Sequence, residues 1–268
     1  MDDRSRKKEP VKIFLLLLLR GRHRRNHIHL YIMPKALEID PSLSKQENFL
    51  NGQVILVDKP FEWTSFGVVK KIRHHIQIKK IGHAGTLDPL ATGLLIMCTG
   101  KKTKSIEGYV GDEKEYTGSF MLGSTTPSYD LESEPSLQQD LSHLTLEQVH
   151  ETTQEFIGDI SQTPPIFSAI KVNGKRAYDL ARKGEEVELK SRVITISVFE
   201  IVAIALPRVD FRVVCSKGTY IRSLANDFGA KLGVGGYLSA LRRTRIGDHK
   251  VDDAWQLEDL INYVNSIQ

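Results

Sequence analysis

The chain has 268 residues and carries 37 Lys+Arg against 33 Asp+Glu, a formal net charge of +4. With 40% apolar and 26% charged residues, a wholly disordered chain, a collagen-like repeat and a disulfide scaffold are excluded. The length fits one large domain or two small ones, with ample room for a core.

The charge is unevenly placed. Residues 1–32 hold nine Lys/Arg and three acids, a net of +6, so the remainder of the chain has a net of −2. Residues 13–19 are a run of seven apolar residues, far short of the roughly 20 that span a bilayer. A secretory signal would need a small-residue cleavage site after that run. Instead the chain continues Arg20-Gly21-Arg22-His23-Arg24-Arg25, which opposes export. The expectation is that residues 1–32 are not part of the working protein, and that Met33 is the true start. Residues 1–50 then form a leader and a weakly structured polar lead-in, and 51–268 one domain. The two cysteines, Cys98 and Cys215, lie in apolar stretches with no metal-ligand spacing. They read as buried free thiols of a reducing compartment, and the expected location is the cytoplasm.

Taken in chain order, Val54-Ile55-Leu56-Val57 is a strand that stops at Pro60. Thr64-Ser65 caps a helix to about residue 75, with Val68, Val69 and Ile72 on one face. A glycine-punctuated loop covers 82–93, and 94–99 is a buried strand. Residues 115–122 form another strand and 126–143 a polar loop. Thr145-x-x-Gln148 is a capping box for a helix reaching Phe156. Residues 169–172, a turn at Asn173-Gly174 and a short helix near 178–182 follow. Residues 193–206 and 209–215 pair through Pro207-Arg208. An amphipathic helix covers 220–232, a last strand 237–246 and a last helix 257–264. Helices and strands mix without a βαβ rhythm, so the expected class is α+β with a largely antiparallel sheet.

Gly100-Lys101-Lys102-Thr103 looks like the end of a phosphate loop. The glycine due five residues earlier is Leu95, and Lys102 replaces the Ser/Thr, so the motif fails. A denser segment is His83-Ala84-Gly85-Thr86-Leu87-Asp88-Pro89-Leu90-Ala91-Thr92-Gly93. Its glycines permit close backbone approach and Pro89 fixes the chain just after Asp88, a way to present one carboxylate rigidly. An Asp-Pro turn between two elements is the plainer reading. Lys217-Gly218-Thr219-Tyr220-Ile221-Arg222 places an arginine in the first turn of a helix, where surface arginines are common. Lys114-Glu115-Tyr116 puts a tyrosine into a strand, ordinary for a core.

In this order the segments resemble the TruB family of tRNA pseudouridine synthases. The resemblance runs from about Gly52 to about Val251. It also includes Val57-Asp58-Lys59-Pro60, Trp63-Thr64-Ser65, Pro164-Pro165-Ile166-Phe167-Ser168-Ala169-x-Lys171, Gly174-Lys175-Arg176-Ala177-Tyr178 and Leu241-Arg242-Arg243-Thr244. It implies the pseudouridine synthase fold, a mixed, mostly antiparallel sheet flanked by helices with the cleft on the sheet. It also implies isomerisation of the T-arm uridine at tRNA position 55. By resemblance Asp88 is the catalytic aspartate, Tyr116 the tyrosine against the target base, and Arg222 the arginine paired with the aspartate. His83 corresponds to the histidine at the site of base displacement. Lys59, Asp130, Tyr220 and Lys171 correspond to substrate-binding positions.

The chemistry fits these residue types. A stacked uridine must be flipped out, at roughly a few kcal/mol. His83 could fill the vacated stack and Tyr116 could stack on the flipped ring. A carboxylate can attack the sugar C1′ or the base C6, and a dry pocket protects the detached base. No redox step occurs and no phosphoryl group moves, so neither cofactor nor metal is expected. The expected partner is the tRNA T-arm, bound by a monomer without an obligate protein partner and without a membrane. Phosphate contacts are expected from Lys79-Lys80, Lys101-Lys102-Lys104, Lys171-Lys175-Arg176 and Arg242-Arg243-Arg245. The chain departs from the family at Thr126-Pro127-Ser128-Tyr129-Asp130, which lacks a first acid, and has only about 22 residues after Ile246 where many members carry a further RNA-binding domain. A non-catalytic RNA-binding module would not need Asp88, Tyr116 and Arg222 together. A nucleoside hydrolase would need two carboxylates and an activated water.

Overall fold

The computed structural model describes residues 37–136, 138–168, 170–172, 174–177 and 189–268. The basic leader and the short helix expected near residue 178 lie outside that range.

The N-terminal half opens with α1 (Lys45–Asn51), β1 (Val54–Lys59), α2 (Ser65–Ile76), β2 (Ile81–Ala84) and β3 (Ala91–Thr99). A 3₁₀ turn (Gly100–Ser105) leads into α3 (Ile106–Gly111) and β4 (Lys114–Leu122). After a long irregular stretch come α4 (Leu146–Thr152), β5 (Gly158–Gln162), β6 (Lys171–Val172) and β7 (Lys175–Arg176). The chain then runs through β8 (Arg192–Ala205), β9 (Arg208–Cys215), α5 (Ile221–Lys231), β10 (Gly236–Ile246), β11 (His249–Lys250), β12 (Trp255–Gln256) and α6 (Leu257–Ser266).

Ten of these strands form one sheet, ordered β12-β1-β3-β10-β4-β9-β8-β5, with β2 added to β3 and β11 to β10. Among the strand pairs of the described residues only β1–β12 and β3–β10 are parallel, so the mixed, mostly antiparallel α+β expectation holds. Strand β10 comes late in the chain yet sits between β3 and β4. Parallel pairing of β3 with β10 is possible because Gly93 has φ +104°, and a Cβ there would lie 2.3 Å from the carbonyl oxygen of Arg243.

Strands β1 and β3 are apolar on both faces because both faces are covered. Ile55, Val57, Leu95 and Met97 pack with Val68, Ile72, Leu260 and Val264 of α2 and α6. Leu56, Leu94, Ile96 and Cys98 face the other side with Ile246 and Val251. The remaining core lies on one face of the other half of the sheet. Phe120 stacks on Phe211 at 4.1 Å and abuts Phe228 of α5 at 5.8 Å. No helix among the described residues is long and apolar enough to cross a membrane.

Three expectations need correction. Of the lead-in expected over 34–51, residues 37–51 are not weakly structured: Ser44 and Glu47 close a capping box on α1, and Phe49 is fully buried. The loop expected over 82–93 is shorter. Residues 81–84 form β2 on the edge of β3, and β3 itself begins at Ala91. Strand β5, with one apolar side chain facing the core, was not anticipated at all. It pairs with residues 192–196 of β8.

Candidate active site

The loop between β2 and β3 is pinned on both sides of Asp88. The Ser65 hydroxyl brackets the Leu87 backbone, accepting from its N–H at 2.9 Å and donating to its carbonyl at 3.1 Å. Thr64, one residue earlier, caps α2 through the N–H of Gly67. Arg243 donates to the carbonyl of Gly85 at 3.1 Å and to that of Leu94 at 2.8 Å. Lys59 donates to the carbonyls of Pro60, Trp63 and Pro89 at 2.9, 2.6 and 3.1 Å. Asp88, held between these anchors, keeps a side chain 35% exposed.

Arg222 meets that carboxylate from the first turn of α5. Its Nε lies 3.0 Å from Asp88 Oδ2 and its Nη2 donates to Oδ1 at 3.2 Å. The Nε contact is ionic rather than a linear hydrogen bond. The same guanidinium donates to the carbonyls of Phe167 at 3.0 Å and Ser128 at 3.4 Å, and lies 3.6 Å from Asp130 Oδ2. Asp130 is 4% exposed. Its turn is closed by Thr126 and Ser128 hydroxyls that donate to its own carbonyl, so the turn forms without the absent first acid. One buried guanidinium thus faces two carboxylates, a net of −1. A shallow pocket extends from Asp88 and Asp130 past Leu131 to residues 238–241 of β10.

Tyr116 stands on β4 opposite Arg243 of β10. Burial pushes its phenol pKa up, and the nearby Arg243 cation opposes that rise. His83 is on β2, with Nδ1 buried and without a hydrogen-bond partner. Burial holds its imidazole below the usual range, Arg243 adds to this, and the Gly85 backbone acts against it. The ring is therefore neutral at pH 7. Tyr220 is the residue before α5, with its ring under the Arg192 guanidinium at 5.0 Å. Lys171 falls on β6, in the separate β6–β7 ribbon, and its side chain is outside the described set.

Two expectations change. Lys59 has no exposed surface and all three of its N–H groups are taken by carbonyls, so it anchors the Asp88 loop rather than lining the pocket. Burial pushes its pKa down to about 8, with Asp88 opposing. The expected phosphate cluster Arg242-Arg243-Arg245 is also internally committed. Arg242 forks onto Asp58 at 3.0 and 2.7 Å, Arg243 is 1% exposed, and Arg245 pairs with Glu113 at 2.9 Å. Lys79, Lys80, Lys101, Lys102 and Lys104 are exposed. Among the described residues no three His, Cys, Asp or Glu side chains group as metal ligands. Sequence reasoning missed Arg243 as an internal anchor and missed Gln162 and Arg192 entirely.

Two family profiles match the chain. The one described as TruB family pseudouridylate synthase (N terminal domain) covers residues 73–221, and tRNA pseudouridylate synthase B C-terminal domain covers 222–267. The boundary falls inside α5, and the second segment supplies β10 to the common sheet. The tRNA pseudouridine synthase B of Flavobacterium johnsoniae is 56% identical over 215 residues, covering 78% of this chain and 94% of that protein. That of Phocaeicola vulgatus is 53% identical over 224 residues, 81% of this chain and 95% of that protein. Among solved structures, a Cbf5-Nop10-Gar1 complex contains a chain that superposes with a TM-score of 0.64 at 30% identity. An H/ACA RNP bound to a substrate RNA containing 2′-deoxyuridine gives 0.61 at 28%. These matches cover 88% and 87% of this chain but only 61% of each matched chain.

Proposed function

The chain belongs to the TruB family of pseudouridylate synthases, which isomerise uridine to pseudouridine in tRNA, and we propose that its target is uridine 55 of the T-arm and that Asp88 is the nucleophile. The observation that carries the assignment is the Asp88 carboxylate, pinned by three backbone anchors, forked by Arg222 and open to a pocket.

The reaction breaks the bond from C1′ to N1 and forms one from C1′ to C5. C5 then gives up its proton and N1 gains one, so nothing is oxidised or lost. Asp88 attacks C1′ or C6, with its direction held by Arg222. Freezing the loop in advance removes the reorganisation that the attack would otherwise require. The apolar wall of Leu131, Leu238 and Leu241 keeps water from the detached base. Tyr116 packs against the flipped ring. Its buried phenol is protonated at rest, so it can take the C5 proton only after losing its own, and Arg243 favours that phenolate. The neutral ring of His83 suits stacking in the place the base vacates. Tyr220 and Lys171 serve as further substrate contacts. The protein works as a cytoplasmic monomer without an obligate protein partner.

A hydrolase needs a second carboxylate free to activate water, and Asp130, the other carboxylate at the pocket, is buried against Arg222. The test is Asp88→Asn, assayed by mapping pseudouridine in a T-arm transcript. Loss of product with retained RNA binding is expected. Normal turnover would refute the assignment, and release of free uracil by the parent would favour hydrolysis.

A further inference from the structure

Arg222 can hold Asp88 only if α5 starts in the right place, and the helix start has no cap of its own. Tyr220 precedes α5 and offers no side-chain hydrogen bond to it, so the place where the helix begins is fixed by contacts from outside it. The geometry points to Gln162 and Arg192 as positioning residues for Tyr220 and Arg222, acting through the backbone of residues 218–223. This inference rests on the catalytic reading of Asp88 and Arg222 above.

Gln162 ends β5 and is 1% exposed. Its side-chain amide accepts from the Tyr220 N–H at 2.8 Å and donates to the Tyr220 carbonyl at 3.1 Å. An amide offers one acceptor and two donors, so Gln162 makes the two bonds a neighbouring strand would make. The next residue repeats the grip from the other side. The Ser223 hydroxyl donates to the Thr163 carbonyl at 2.7 Å. Arg222 therefore lies between two points, Tyr220 and Ser223, both fastened to the end of β5.

Arg192 stands directly opposite Gln162 in the β5–β8 register. Its guanidinium donates to the Gly218 carbonyl and covers the Tyr220 ring at 5.0 Å. Gly218 has φ +83°, and a Cβ there would come within 3.3 Å of the Arg192 guanidinium. One cross-strand pair thus fixes both the entry into α5 and the ring of Tyr220. Neither side chain belongs to the pocket wall or contacts Asp88, so their effect on the reaction must pass through Arg222 and Tyr220.

The test uses the full chain and a tRNA transcript under single-turnover conditions with enzyme in excess. Gln162→Leu is expected to slow pseudouridine formation tenfold or more, since displacements of about 1 Å can cost up to about a hundredfold, while tRNA affinity falls by less than the rate because Tyr220 is one substrate contact among several. Gln162→Glu, which keeps the acceptor but loses the donor, should fall between parent and Gln162→Leu. In an Arg222→Lys background, Gln162→Leu should cost clearly less than in the parent, because one of the two residues it serves is already compromised. If Gln162→Leu fails to fold, Gln162→Glu and Arg192→Met carry the same cycle, with Arg192→Lys as the conservative rescue. A parent-like rate in folded Gln162→Leu, or an equal loss in both backgrounds, would overturn the inference. If Asp88→Asn stayed active, the catalytic reading itself would fail. If Asp88→Asn were dead and Gln162→Leu normal, only the positioning role would.

Discussion

Replacing Lys59 by methionine should destabilise the protein, and by more at high pH than at neutral pH. The ammonium has no exposed surface and donates to three carbonyls. Stranding three acceptors costs about 2 kcal/mol each. Against this stands the relief of no longer burying a charge. Burial lowers the Lys59 pKa from 10.5 to about 8, an interval worth about 3 kcal/mol. The net loss at pH 7 is then about 3 kcal/mol. Between pH 8 and 10.5 the unfolded chain binds more protons than the folded one at this site, so parent stability rises with pH across that window. The methionine variant lacks this gain. The difference between the two proteins should widen by about 2 kcal/mol from pH 7 to pH 9.5. Urea unfolding of both proteins at the two pH values measures it, and other titrating groups cancel in the comparison. A gap that stays constant or narrows would refute the reasoning, as would a methionine variant as stable as the parent at pH 7.

Other outcomes follow from the same geometry. Gly93→Ala forces a Cβ to within 2.3 Å of the Arg243 carbonyl oxygen at φ +104°, so thermal unfolding should report a loss above about 3 kcal/mol. A loss under about 1 kcal/mol would mean that β3 and β10 can part freely. Cys98 and Cys215 are buried, and burial pushes each thiol to a pKa of about 11. Neither should react with iodoacetamide at pH 8 until urea is added, and labelling of the native protein would contradict this. Binding of tRNA should weaken with salt despite the net charge of −2 outside residues 1–32. Changing Lys101, Lys102 and Lys104 together to Gln should reduce the log–log salt slope by about 3 if each meets a phosphate. An unchanged slope would remove these lysines from the RNA interface.

What the sequence made legible was periodic or chemically distinctive. The strand at Val54, the Thr64-capped helix, the β8–β9 pair and the α5 helix all carried strong patterns, and the structure has them. Helix α1 was passed over because its only buried apolar side chain is Phe49, although Ser44 and Glu47 were a readable start signal. Strand β2 is four residues long with a glycine and a histidine, and its existence depends on the neighbouring strand. At the site, the Asp88–Arg222 contact and the closeness of Asp130 were legible through motifs. Arg242, Arg243 and Arg245 looked like a basic patch because their partners are far away in sequence, Asp58 by 184 positions. Lys59 looked like a pocket residue because a run of letters cannot show that an ammonium is saturated by carbonyls. Gln162 is uncharged and common, and only its two bonds to one backbone unit give it away.

The placement of β10 has a consequence for timing. Asp88 follows β2 and Tyr116 is on β4, both made early in synthesis, yet the strand that lies between β3 and β4 spans residues 236–246. Until that strand leaves the ribosome, β3 and β4 have no ladder to join them, and each exposes an apolar edge. The pocket wall at residues 238–241 does not yet exist at that stage. A nascent chain is therefore chemically silent until residues 236–246 thread into the middle of the sheet, and it gains its site all at once at that step.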